Sequence, residues 1–211
     1  MVQLQQENNI ICVTNRSLCG DISVFFDKIQ SISEASPYAV ILREKDLSEK
    51  DYLSLALRVS TLCYASGTRF FVHNFPKVAL MCSADGLHMP LHRLKEYIDN
   101  SPEEAAQLLT GLRFLGASCH SVDDALLAES LGCNYIVAGH IFDTDCKKGL
   151  PGRGVDFLKD VINSVSIPVF AIGGITVENY PKIKEAGASG ACLMSSLMLA
   201  DDPKELISSF K

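Results

Sequence analysis

Eight short, nearly continuous apolar runs, spaced by longer stretches of helical character, constrain this chain more than any other feature of its sequence. The runs are Ile10–Thr14, Tyr38–Leu42, Arg69–His73, Gly86–Met89, Phe114–Cys119, Tyr135–Ala138, Val169–Ile172 and Gly190–Met194. A strand that faces water on one side alternates polar and apolar residues, whereas these runs barely alternate, as strands covered on both faces do. Such strands belong to parallel sheets, and parallel strands need crossover helices.

The intervening segments supply them. Leu47, Tyr52, Leu55 and Leu62 fall broadly on one side of a helix over Ser48–Ala65, and Ser121-x-x-Asp124 is a capping signal for a helix over Val122–Leu131. A helix over Val177–Ala186 ends at Gly187, and Asp202-Pro203 opens a last one that runs to Phe210. Across Leu91–Glu104, the stretch Asp99-Asn100-Ser101-Pro102 separates two helices. An open, doubly wound sheet is the rival architecture, but no Gly-x-Gly-x-x-Gly follows the first strand. The reading is an α/β fold, a single (β/α)8 TIM barrel spanning residues 1–211 as one domain, a length such barrels commonly reach.

Composition narrows the function. The chain is 47% hydrophobic with no apolar run long enough to span a bilayer, so no membrane role is expected. Residues Met1–Asn9 are polar and lack the pattern of a secretory signal, which suggests a cytosolic (cytoplasmic) protein. The net charge of -6, with no Lys/Arg-rich run, argues against nucleic acid as a partner but leaves room for a local basic pocket. The eight cysteines include no Cys-x-x-Cys pair and lie mostly in apolar runs, as buried thiols do. The oligomeric state stays open, a homodimer included.

In a TIM barrel the residues just past the strand C-termini build the active site. Gly173-Gly174 after the seventh strand and Ser195-Ser196 after the eighth stand where this fold recurrently binds phosphate, with bare backbone and hydroxyls suited to an anion. Arg43 and Lys45 alternate with Glu44, so both cations can face the mouth while the carboxylate turns away. Thr144, Cys146 and Lys147 lie in a long loop after the sixth strand that can fold over the mouth as a lid. Ser118 and His120 end the fifth strand, and an imidazole, with an unperturbed pKa of ~6.5, is suited to exchange protons with a ligand there. His73, His88 and His140 also fall at strand ends, where they either line the mouth or pack, His92 reads as exposed, and no spacing among the histidines suggests a metal site.

These blocks together resemble the thiamin phosphate synthase/TenI superfamily from the first strand to the last. Leu42-Arg-Glu-Lys45 resembles its strand-two motif, Ser118-Cys-His-Ser121 its strand-five motif, and Ile167-Pro-Val-Phe-Ala-Ile-Gly-Gly-Ile175 with Glu178-Asn179 its strand-seven block. Synthases of the superfamily join a pyrimidine pyrophosphate to a thiazole phosphate, using Mg²⁺ held by acidic residues after strands three and four. Here Asn74 and Arg93 stand where those acids belong, and Ile41 replaces a frequent glutamine. The lid, Gly139-His-Ile-Phe-Asp-Thr-Asp-Cys-Lys-Lys-Gly149 followed by Gly152-Arg-Gly154, looks like that of TenI-type thiazole tautomerases.

The resemblance therefore implies an isomerase, a thiazole tautomerase that converts a dihydrothiazole carboxylate phosphate into its aromatic isomer with no metal or organic cofactor. It implies His120 as the acid/base, Gly173, Gly174 and Ser195 as the phosphate site, and Arg43, Lys45, Ser118, Thr144, Cys146, Lys147 and Ser196 as further contacts to a small phosphorylated thiazole. Two alternatives are a thiamin phosphate synthase and a non-catalytic regulator that binds a phosphorylated thiazole.

Overall fold

The computed structural model describes residues 9–147 and 149–210. All eight apolar runs are strands: β1 (Ile10–Val13), β2 (Ala39–Leu42), β3 (Arg69–His73), β4 (Gly86–Pro90), β5 (Phe114–Cys119), β6 (Tyr135–Gly139), β7 (Val169–Ile172) and β8 (Gly190–Leu193). Each pairs in parallel with the next, and β8 pairs in parallel with β1, so the sheet closes and leaves no edge. No strand end departs from its expected position by more than one residue.

The helices are α1 (Ile22–Glu34), α2 (Glu49–Ala65), α3 (Pro76–Met81), α4 (Leu91–Asn100), α5 (Pro102–Thr110), α6 (Val122–Ser130), α7 (Gly154–Ser164), α8 (Tyr180–Glu185), α9 (Ser195–Leu199) and α10 (Pro203–Ser209). Their starts follow from local chemistry. Ser48 caps α2 through the Asp51 amide at 3.2 Å, Ser121 caps α6 through Asp124 at 3.0 Å, and Asp202 caps α10 through Glu205 at 2.9 Å. Helix α8 begins later than the expected Val177. The Thr176 amide donates to Asn179 Oδ1 at 2.9 Å and Asn179 Nδ2 donates to the Gly174 carbonyl at 2.8 Å, which holds the intervening residues in a turn. None of the described helices is long and apolar enough to cross a membrane.

Strand alternation divides the apolar residues between two shells. Outward residues such as Cys12, Val40, Leu42, Phe70 and Val72 pack under the helices. Inward residues Ile11, Val13, Ala39, Ile41, Phe71, Tyr135, Val137, Phe170 and Cys192 fill the barrel itself. Below them, Arg69 lies over the Tyr38 ring at 4.6 Å and donates to the Tyr38 carbonyl at 3.1 Å, stoppering the N-terminal end.

One row of this interior depends on a glycine. Strand register sets His88 beside Gly116 and Gly116 beside Tyr135. A Cβ on Gly116 would lie 2.1 Å from Tyr135 Cζ, so the tyrosine ring occupies the space a side chain on β5 would take. Gly116→Ala should therefore cost more than about 2 kcal/mol by overpacking. Urea unfolding checks this: a loss within about 0.5 kcal/mol would mean the ring can move aside at little cost.

Candidate functional site

At the C-terminal end of the barrel a cavity of about 620 Å³ opens among the strand ends. Its cationic side is built by β2. Arg43 and Lys45 line the cavity, while Glu44 between them faces away and is buried. Glu44 accepts from the Thr14 hydroxyl at 2.6 Å, from the Arg16 amide at 3.1 Å and from the Arg16 guanidinium at 3.2 Å. Arg16 also grips Asp46 with both arms of its fork, at 2.7 and 2.6 Å, and pulls that carboxyl down to about 2. Thr14 Oγ1 in turn accepts from the Arg43 amide at 2.9 Å. This latch fixes the chain on both sides of Glu44 and so aims its neighbours inward.

The two cations are joined at the mouth by Lys147. Lys45 is held below its ordinary pKa, first by the charge of Arg43, then by burial, and then by Lys147. Three mutually repelling cations in one cavity form a site that an anion would relieve.

All five histidines of the chain line this cavity. His73 and His88 are buried with their rings stacked 6.1 Å apart. Burial, reinforced by nearby positive charge, pushes His73 down to about 2 and His88 to about 3, so both are neutral. His92 is exposed at the rim. His140 is buried, and its Nε2 meets the Leu150 carbonyl at 3.2 Å, tying down the lid. His120 is exposed to the cavity, with Nδ1 2.7 Å from the Gly139 carbonyl and its own amide donating to Asp124 Oδ2 at 2.7 Å. A carbonyl can only accept, so Nδ1 carries the hydrogen and the neutral ring keeps its lone pair on Nε2.

The strand-seven and strand-eight ends add Gly173, Gly174, Thr176, Ser195 and Ser196 to the lining. Gly174 has φ 64°, and a Cβ there would lie 2.3 Å from the Asp143 carbonyl oxygen. The bare backbone thus lets the lid close onto β7. The lid folds back on itself as well: the Gly152 amide donates to Asp143 Oδ1 at 2.7 Å, and the Arg153 amide to the His140 carbonyl at 3.0 Å.

Of the site residues read from the sequence, Arg43, Lys45, Ser118, His120, Thr144, Lys147, Gly173, Gly174, Ser195 and Ser196 all border this one cavity. The contact expected from Cys146 rests on a side chain outside the described residues. Sequence reasoning overlooked Thr176 and Met194, which border the cavity one or two positions away from chosen residues, and Tyr135, whose hydroxyl lies 3.0 Å from His88 Nδ1 beneath the floor.

Comparison with known proteins identifies the family to which this barrel belongs. The model of the family described as thiamine monophosphate synthase matches residues 10–197, nearly the whole barrel. The chain belongs to that family. A thiamine-phosphate synthase of Fusobacterium nucleatum is 31% identical over 198 residues, covering 94% of this chain and 93% of its own. One of Caldivirga maquilingensis is 36% identical over 168 residues, covering 80% and 78%. The structure of thiamine phosphate pyrophosphorylase from Pyrococcus furiosus superposes with a TM-score of 0.79 at 27% identity, covering 97% of this chain and 94% of that one. Family membership places the chain among enzymes of thiamin biosynthesis. The names of these relatives are those of synthases, not of the tautomerase that the lid motif suggests.

A synthase is expected to hold Mg²⁺, a hard cation that takes carboxylate oxygens. The described cavity lining includes no Asp or Glu; it presents Arg43, Lys45, Lys147 and five histidines. This donor set does not fit Mg²⁺.

The buried pair His73 and His88 makes the fold sensitive to acid. In the unfolded chain both titrate near ~6.5. Below that pH the unfolded state takes up protons that the native state refuses until about 3 or lower, so stability falls as pH falls. Unfolding free energy should drop by at least about 2 kcal/mol between pH 7 and pH 4, and His88→Gln should flatten that slope. A pH-independent urea midpoint across this range would refute the buried neutral pair.

Proposed function

We propose that the chain is a thiazole tautomerase of thiamin biosynthesis, which isomerises a dihydrothiazole carboxylate phosphate to the aromatic thiazole carboxylate phosphate by proton transfer. The observation that carries this reading is His120, whose Nδ1 is committed to the Gly139 carbonyl and whose Nε2 is left as a base at the edge of a cation-lined cavity with no carboxylate among its described lining residues.

In this reading the substrate phosphate rests on the bare backbone of Gly173 and Gly174 and the hydroxyls of Ser195 and Ser196. Its carboxylate lies towards Arg43, Lys45 and Lys147, with Ser118 and Thr144 alongside. His120 Nε2 takes the proton from the ring carbon that bears the carboxylate, and the nearby cations stabilise the negative charge that spreads onto that carboxylate. The imidazolium keeps its Nδ1–H on Gly139 and delivers the Nε2 proton to the exocyclic carbon. One C–H bond breaks, another forms, and the ring becomes aromatic; no electrons are exchanged with a cofactor.

The names of the relatives favour a second reading, a thiamin phosphate synthase, and Arg43, Lys45 and Lys147 could equally grip a pyrophosphate. Incubation of the protein with the dihydrothiazole isomer, followed by ultraviolet absorbance, separates the two: aromatisation supports the tautomerase. Robust Mg²⁺-dependent joining of pyrimidine pyrophosphate to thiazole phosphate would overturn it. Binding without any turnover would point instead to a regulator.

His120→Gln, which retains hydrogen-bonding shape but cannot shuttle a proton, should slow tautomerisation by roughly 100-fold or more while product binding stays nearly intact. Near-native turnover in this variant would remove His120 from the role.

A further inference from the structure

Beneath the floor of the cavity, a buried polar chain runs among the largely apolar residues that fill the barrel. Tyr135 on β6 is 1% exposed, and its ring lies among Phe71 and Phe170. Its hydroxyl is 3.0 Å from His88 Nδ1, and on the other side of that imidazole Nε2 is 2.8 Å from Ser118 Oγ. Ser118 is half-buried and borders the cavity two residues before His120 on the same strand end. The contact crosses β5 only because Gly116, which sits between His88 and Tyr135 in register, has no side chain.

The hydrogens along this chain can be assigned by counting donors and acceptors. Among the described residues, His88 Nδ1 is the one hydrogen-bonding partner of the Tyr135 hydroxyl. Were Nδ1 to donate, the tyrosine would be left with a buried O–H that has no acceptor among the described residues, and a buried donor without an acceptor is among the costlier features of a fold. The tyrosine therefore donates to Nδ1. His88 is neutral, as its burial dictates, so its single hydrogen is on Nε2 and is donated to Ser118 Oγ. Ser118 accepts there, and its own hydrogen is left for an acceptor in the cavity.

We infer that His88 and Tyr135 are positioning residues that fix the Ser118 hydroxyl as a hydrogen-bond donor to an acceptor atom on the bound substrate. Resting on the tautomerase reading, the acceptor is an oxygen of the substrate carboxylate, where negative charge accumulates as the neighbouring carbon loses its proton to His120. Rotation of the Ser118 hydroxyl towards His88 is excluded because Nε2 already carries a hydrogen, so the donor is set in place before the substrate arrives. The relay is uncharged throughout and adds no competing proton acceptor beside His120.

The tautomer is measurable on the wild-type protein without any ligand. Long-range ¹H–¹⁵N correlation spectra should show His88 protonated at Nε2 and unprotonated at Nδ1 from pH 5 to pH 8; the opposite tautomer would overturn the relay. With the aromatic thiazole carboxylate phosphate as probe, Ser118→Ala and Tyr135→Phe should each weaken binding by about tenfold, the worth of one hydrogen bond, and leave inorganic phosphate binding unchanged. In the Ser118→Ala background Tyr135→Phe should have almost no further effect. Full additivity of the two substitutions would separate Tyr135 from Ser118 and sink the proposal. His88→Gln, which can accept at Oε1 and donate at Nε2, should recover most of the affinity that His88→Leu loses, and failure of that rescue in a folded protein counts against the relay. If the thiazole probe does not bind at all, the functional reading fails while the tautomer measurement still decides the relay.

Discussion

In a closed barrel each strand can turn only every second side chain inward, and this alternation governs everything at the mouth. Ile11 and Val13, Ala39 and Ile41, and Phe71 and His73 are the inward sets of the first three strands, and continuing the phase of β2 past Leu42 brings Arg43 in, Glu44 out and Lys45 in. The same phase on β4, β5 and β6 aligns His88, Gly116 and Tyr135 in one row and lifts Ser118 and then His120 above it. The site is thus a direct extension of the packed interior, and its lowest residues inherit the rigidity of the core.

The phase also accounts for how the barrel tolerates so much positive charge in one place. The carboxylates that could neutralise Arg43 and Lys45 are nearby in sequence, but Glu44 is turned outward and occupied by Thr14 and Arg16, and Asp46 is held by the Arg16 fork. Arg16 therefore absorbs both acids and leaves the mouth cationic. The lowered Lys45 pKa records the cost of that arrangement in the free protein. An anion among these cations would reverse the cost, which is how the proposed reading accounts for phosphate and carboxylate recognition.

Much of this was legible in the sequence, and the reason is local. Strands covered on both faces read as apolar runs, caps such as Ser48, Ser121 and Asp202 announce themselves, and residues following a run fall at the mouth by connectivity alone. What escaped depends on which residues become neighbours across strands. His88 could be read as packed or as mouth-lining, and it is both, because register places it over Gly116 and against Tyr135. Nothing in the spacing from 88 to 135 reveals that row. The late start of α8 escaped for a different reason: Thr176 and Asn179 bond one another in a way that competes with helix, and propensity over the following residues conceals it.

The absence of acidic side chains from the described cavity lining bears on chemistry as well as on binding. Expelling a pyrophosphate leaves several negative charges on the departing group, and a divalent cation held by carboxylates would suit that task because it carries its charge in a compact centre. Arg43, Lys45 and Lys147 each carry a single charge on a flexible stem, and in the proposed reading they hold anionic groups that remain attached to the substrate throughout. Moving a proton from a ring carbon to the exocyclic carbon of one substrate asks for little more: a base with a defined lone pair, donors fixed beside the carboxylate that receives the charge, and an anchor for the phosphate. In the proposed reading, His120 held by Gly139, Ser118 held by His88, and the open backbone at Gly173 and Gly174 supply these around a single cavity. In that reading a barrel of the synthase family runs proton transfer with no acid in its described cavity lining, because the proposed anion contacts and the imidazole depend on strand phase rather than on a metal.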